Sequence, residues 1–303
     1  MFLPIALAVV MFGLGLALTG EDFRRVVRYP RAAVVALGCQ LVLIPGICLG
    51  LVLAAGLEPE LAVGMMLLAA APGGTTANIF SHLARGDVAL NITLTAINSV
   101  LAVVTLPLVV NLSIAGFLGE ADSIGLQPAK LAQVFALVLV PVGAGMLVRR
   151  HAPGWAARMD LPVRISSIVA LLSVVGVAVF QERGNVGGFL AQVGLLTLLL
   201  ACVSIAIGYV VPRLARVPAR QAVAASFEIG IHNSTLAITL ALSPSLLDNP
   251  TMAVPAAVYG LIVFIPAGVL AHLMSRYLTG QERQRRASQP SCARRTDIRN
   301  TGE

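Results

Sequence analysis

Nine runs of roughly twenty apolar residues fill most of this chain, and no other feature restricts its fold as much. Their approximate limits are 2–18, 31–55, 61–84, 88–116, 129–148, 163–180, 187–211, 221–243 and 252–278. None shows the period-two alternation of a membrane β-barrel strand. Backbone polar groups in a bilayer must be satisfied within their own segment, so these runs are read as transmembrane helices. Charged residues make up only 12% of the 303 positions, against about 25% in an ordinary soluble domain. Too little polar surface remains to cover a soluble core. The expected fold is therefore an all-α polytopic membrane protein with a transmembrane domain over 1–279. A basic tail, expected to be disordered, follows over 280–303.

Lys and Arg number 21, and their placement orients the chain. On the nine-span count nineteen fall on one side. These are Arg24, Arg25, Arg28 and Arg31, then Arg85, then Arg149, Arg150, Arg158 and Arg164, then Arg213, Arg216 and Arg220, with the rest from Arg276 onward. Only Lys130 and Arg183 fall on the other side. Basic residues mark cytoplasmic loops, so the N-terminus is expected outside and the C-terminus inside. The first run has no basic segment before it and is read as a retained helix, not a cleaved signal. The net charge of +7 follows from the same rule, and no nucleic-acid partner is expected. Abundant Ala, Val and Arg with a single Lys point to a GC-rich bacterial genome, hence to a bacterial plasma (inner) membrane.

The four cysteines form no C-x-x-C pair, so neither a disulfide framework nor a zinc site is indicated. The longest outer loop, 117–128, is too short to hold an enzyme or a receptor module. No enzymatic activity and no cofactor are expected.

Two of the runs are interrupted where a continuous helix is expected. Ala70-Ala71-Pro72-Gly73-Gly74-Thr75-Thr76-Ala77-Asn78 places a Pro and two Gly at mid-membrane depth. Pro removes a backbone donor and clashes with the preceding turn. Glu228-Ile229-Gly230-Ile231-His232-Asn233 puts a Gly and three polar side chains at a similar depth in the eighth run. Aligning Asn78 with Asn233 gives corresponding places in the two halves of the chain. Paired interruptions of this kind point to a secondary transporter built from inverted repeats. Broken helices free backbone carbonyls for a cation and amides for an anion.

Glu228 is a carboxylate at a depth where charge costs several kcal/mol, and such groups pair with a cation or line a transport path. Asn78, Asn91 and Thr95 supply oxygen, the donor a hard cation prefers. Asn91 and Thr95 are four residues apart and share one helix face. By themselves they fit ordinary inter-helix hydrogen bonding better than cation binding. Gln40 has the same two readings.

These segments resemble the signature regions of the bile acid:sodium symporter family. The likeness is carried by Pro72-Gly73-Gly74-Thr75-Thr76-Ala77-Asn78, by Leu83-Ala84-Arg85-Gly86-Asp87-Val88-Ala89-Leu90 and by Glu228-Ile229-Gly230-Ile231-His232-Asn233. Met11-Phe12-Gly13-Leu14-Gly15-Leu16 followed by Asp22-Phe23 adds to it. The resemblance implies two inverted repeats of four and five helices, over about 1–118 and 129–279. It implies a panel and a core domain, with the two broken helices crossing in the core. It also implies sodium-driven uptake of an organic anion, either bile acid-like or a small carboxylate. One sodium site would use Glu228, Asn78, Thr95 and the positions of Ala77 and Asn91. The other would use Gln40, Glu228, the carbonyls of Ile229 and Ile231, and the position of His232. The anion would face Thr75, Thr76, Asn233 and Ser234, with Phe264 on an apolar wall.

Two positions depart from the family pattern. Ala77 stands where Ser is frequent, and His232 where Gln is usual. An imidazole offers nitrogen only and titrates near neutral pH. His232 is therefore expected to weaken the second sodium site and make coupling partly proton-sensitive. The competing readings are a metalloid or other ion exporter of the same superfamily, a sodium–proton antiporter, and a membrane enzyme. The exporter would want a thiol at the interruptions, yet Cys39, Cys48 and Cys202 lie elsewhere. The antiporter would want mid-span Asp, and the enzyme a nucleophile–base pair better than His232 and Ser234.

Overall fold

The computed structural model describes residues 8–9, 11–13, 15–16, 19–74, 76–119, 128–159, 186–243 and 246–288, with single positions at 162, 165 and 169. The first run (2–18), the sixth (163–180) and the 117–128 loop lie largely outside the described residues. So do Thr75 and the end of the tail. Among the described residues the chain is helical throughout and holds no β-strand.

Helix α1, Pro30–Ala55, opens with Pro at its first turn and stops at Gly56, whose φ of 59° ends the helix in the left-handed region. Within it, Cys39–Leu43 form a π-turn, a local widening that often accompanies function. Helix α2 is Pro59–Ala70 and is buried from Leu61 to Ala70. It ends because Pro72 forces the preceding Ala71 out of helical geometry, to a ψ of 139°. Helix α3, Thr76–Leu83, resumes on the far side. Helix α4, Val88–Phe117, starts under an Asp87 cap, the carboxylate accepting from Leu90 N at 3.1 Å.

Helices α5, Pro128–His151, and α6, Val186–Leu214, follow. Helix α7, Ala219–Gly230, is broken from α8, Ser234–Leu242, at Ile231, His232 and Asn233. Helix α9 is Pro250–Ile262, capped by Asn249, and a turn at Val263 leads into α10, Phe264–Ser288. The last helix runs past the expected limit of 278, through a stretch rich in helix-forming Gln, Glu and Arg.

Four helical stretches among the described residues are long and apolar enough to cross a bilayer: Pro30–Ala55, Val88–Phe117, Leu190–Leu214 and Pro250–Gly280, the last running through α9 into α10. Large apolar side chains project outward from them, including Val34, Leu112, Leu195 and Ile265. That surface suits lipid tails.

The two interruptions meet. Gly74 N donates to Ile231 O at 2.8 Å, and Asn233 N donates to Pro72 O at 2.8 Å. Gly73 and His232 thus form a single antiparallel bridge between two fractured helices. Each break satisfies backbone groups that the other leaves open, which is what irregular backbone buried in a membrane protein requires.

Close glycine contacts fix the surrounding helices. A Cβ on Gly208 of α6 would come within 2.7 Å of Ser226 Cα on α7, and one on Gly230 would overlap Ile205. A Cβ on Gly64 of α2 would strike the Met252 carbonyl of α9. At the opposite end of α7 from its break, Asp87 N donates to Arg220 O at 2.9 Å and Arg220 Nε to Arg85 O at 3.1 Å. A cavity of about 800 Å3 beside these turns is lined by His82, Arg85, Asp87, Arg220 and Leu278, away from the break. Replacing Asp87 by Ala is expected to lower stability by about 1 kcal/mol through loss of the cap, read as a lower melting temperature in detergent.

Candidate cation site at the helix crossing

Glu228 lies in the last turn of α7, only 2% exposed. Thr95 Oγ1, on α4, donates to its Oε2 at 2.5 Å, while Glu228 Oε1 has no hydrogen-bond partner. No charged side chain acts on the carboxylate among the described residues. Gly73, in the first break, lies directly against it, and any side chain there would overlap both carboxylate oxygens. A glycine is what this close approach requires.

Asn91 lies one turn before Thr95. Its Nδ2 donates to Ala224 O at 2.8 Å, which ties α4 to α7 one turn ahead of Glu228. Its Oδ1 is left without a donor, and so is the buried Oδ1 of Asn78, on α3. Buried acceptors are nearly always satisfied, so three donorless oxygens on the helices around one crossing need a physical cause. Oxygen lone pairs of this kind are the ligands a hard cation takes. Ala77 is fully buried and brings no side-chain oxygen.

Gln40 sits in the π-turn of α1. Its Nε2 donates to Ala71 O at 3.0 Å and lies 3.4 Å from His232 Nδ1. His232 Nδ1 is also 3.4 Å from Ala71 O. Gln40 Oε1 and His232 Nε2 have no partner. Ile229 is fully buried, and the Ile231 carbonyl already accepts Gly74 N. Of the residues expected at the second position, Gln40 and His232 are brought into contact, both reaching the Ala71 carbonyl, while the Ile231 carbonyl is taken by Gly74.

The residues expected to face an anion divide. Asn233 Oδ1 is engaged as the cap of α8, accepting from Leu236 N at 3.0 Å. Ser234 Oγ is buried without a partner, and Thr76 begins α3 half-buried. Phe264 is 44% exposed and stacks on Phe80 at 6.0 Å, which in turn stacks on Phe227 at 5.9 Å. These rings form an apolar row leading to the residue before Glu228.

Two buried side chains at this crossing escape the sequence reading. Asn98 extends the Asn91–Thr95 face by one turn, and its Nδ2 has no partner. The spacing of seven residues from Asn91 is the signal that could have found it. Tyr259, fully buried on α9, donates from its hydroxyl to Gly230 O at 2.6 Å and packs on the His232 ring. Its place in an apolar run gives no sign of that role.

The profile of the sodium/bile acid symporter family matches residues 4–189, well over half of the chain. The chain belongs to this family. The profile match ends short of Glu228, but matches to individual relatives run across it. An uncharacterized sodium-dependent transporter of Bacillus subtilis is 29% identical over 282 residues, covering 91% of this chain and 83% of that protein. A probable chloroplastic sodium/metabolite cotransporter of Arabidopsis thaliana is 29% identical over 275 residues, covering 90% of this chain and 66% of its own length. The human ileal sodium/bile acid cotransporter is 26% identical over 243 residues, 78% of this chain and 68% of that one. Membership of this symporter family and the apolar helices together make the protein a multi-pass membrane transport protein.

Proposed function

We propose that the protein is a sodium-coupled symporter that imports an organic anion across a bacterial inner membrane. One observation carries this reading: a buried carboxylate without a countercharge, among donorless amide oxygens, where two broken helices cross. Sodium would be held by Glu228, Asn78, Asn91 and Thr95. Asn98, on the same face of α4, is added as a neighbour of the site. The donor set is oxygen. Cys48 Sγ is turned to the Met65 carbonyl and Cys202 is exposed, so neither offers a thiol to the crossing.

The energetics give the coupling. Without a cation, rearrangement would move a core carrying a buried negative charge, and isolated buried charge is strongly disfavoured. Sodium neutralises it and ties α3, α4 and α7 together, leaving the crossing ready for an anion. Alternating access is then largely rigid movement of one helix bundle against the other. The arrangement proposed is nine helices in repeats of four and five, N-terminus outside. Cargo is an organic carboxylate, bile acid-like or small, received near Thr75, Thr76 and Ser234. The half-helix amides would face it, with the Phe80–Phe264 row as apolar wall.

The test is thermal stability of the purified protein in sodium, lithium, potassium and choline chlorides at equal ionic strength. An upward shift in sodium alone is expected, after which a panel of organic anions is screened in sodium. Equal melting temperatures in all four salts would overturn the proposal.

His232 is proposed to weaken the second position, because it offers nitrogen where an amide offers oxygen. In His232→Gln, sodium binding is expected to become more cooperative. Equal Hill coefficients for 22Na+ binding in the two proteins rule this out.

A further inference from the structure

We infer that Tyr259 is a positioning residue of the cation site, acting through the end of α7. The inference rests on the sodium reading above. A helix leaves its last four carbonyls without intrahelical partners. At the end of α7 these groups are shared out in a defined way. Phe227 O takes the Ile231 amide at 3.0 Å, and Gly230 O takes the Tyr259 hydroxyl at 2.6 Å. Just beyond, Ile231 O takes the Gly74 amide. The carbonyls of Glu228 and Ile229 are the ones left over. By holding Gly230 O toward α9, Tyr259 sets the peptide planes on either side. It thereby sets which carbonyls, and which face of Glu228, turn toward the crossing.

The anchor is rigid. Helix α9 is pressed onto α2 at Gly64 and Met252, and onto the start of α8, where a Cβ on Gly260 would lie 3.1 Å from Ser234 Oγ. Tyr259 also lies against His232, its ring centre 5.4 Å away. One side chain of α9 thus braces the broken end of α7, while its neighbours brace α2 and α8. Groups that orient first-layer ligands typically change metal affinity by about ten- to a hundredfold when removed.

The experiment measures 22Na+ binding to the purified full chain in detergent, with melting temperature in sodium-free buffer recorded in parallel. Tyr259→Phe keeps the ring and removes only the hydroxyl. Sodium affinity is expected to fall about tenfold. Ser226→Ala is the control, because Ser226 Oγ makes a comparable buried bond to Ile205 O at 2.7 Å on the α6 side of the same helix. It is expected to lower the melting temperature by a similar amount and leave sodium affinity unchanged. A merely structural tyrosine would behave like Ser226. Wild-type binding with equal affinity in Tyr259→Phe overturns this inference alone. Absence of binding in the wild type overturns the sodium reading and this inference with it. Should Tyr259→Phe not purify folded, 3-fluorotyrosine at position 259 retains the ring and makes the hydroxyl a stronger donor. A shifted sodium affinity then supports the inference, and an affinity equal to wild type overturns it.

Discussion

Glu228→Ala is expected to abolish sodium binding and sodium-driven uptake while the protein still inserts and purifies folded. The carboxyl group is the only acidic side chain at the crossing among the described residues, and Thr95 donates to it. Without it, Asn78 and Asn91 offer neutral oxygens that cannot offset the dehydration of a cation. Removing it also relieves the chain of an unpaired buried charge, so stability in sodium-free buffer should not collapse. The contrast is measurable by linkage. At one hundred times its dissociation constant, a ligand bound only by the folded state adds about 2.7 kcal/mol. The wild type should gain that increment in sodium and Glu228→Ala should gain none. Retained sodium-dependent flux in the variant would contradict the role given to this residue.

Gly73→Ala is expected to cripple sodium binding with little change in the fold. Gly73 is not in the left-handed region, so alanine meets no backbone strain there. Removing a glycine from the unfolded chain even favours the folded state by about 0.4–1 kcal/mol. The nearest atoms the added methyl would meet all belong to the Glu228 carboxyl group. That group is the end of a flexible side chain, so it can swing away, giving up Thr95 as it does. A loss of sodium affinity of about tenfold or more is expected, at a melting temperature close to wild type. An unchanged affinity would mean that the contact between Gly73 and Glu228 does not shape the site. Direct measurement of 22Na+ binding decides it.

Much of the crossing could be read from residue order. Pro72 dictates a break because no residue before a proline sits easily in a helix, and Ala71 obeys. Glu228 stood out as charge at a depth where charge is costly, and Asn91 and Thr95 as oxygens one turn apart. What escaped depends on partners distant in the chain. The π-turn that turns Gln40 inward leaves no mark in Cys39-Gln40-Leu41-Val42-Leu43. Residue order alone offers Asn233 to an anion and gives no sign that its side-chain oxygen caps α8. A capping residue and a ligand residue have the same chemistry, and only geometry separates them. Tyr259 is invisible for a similar reason: one hydroxyl in an apolar helix is ordinary until its acceptor is known.

The pairing of Pro72 and Gly74 with Asn233 and Ile231 bears on how the protein is made. The partners are about 160 residues apart, and ribosomes add about 5–20 residues per second. For something like ten to thirty seconds the first break waits in the translocon or the bilayer with its peptide groups uncovered. Biogenesis must shelter that segment, with water, an insertase or a neighbouring helix, until the second half of the polypeptide arrives to close it.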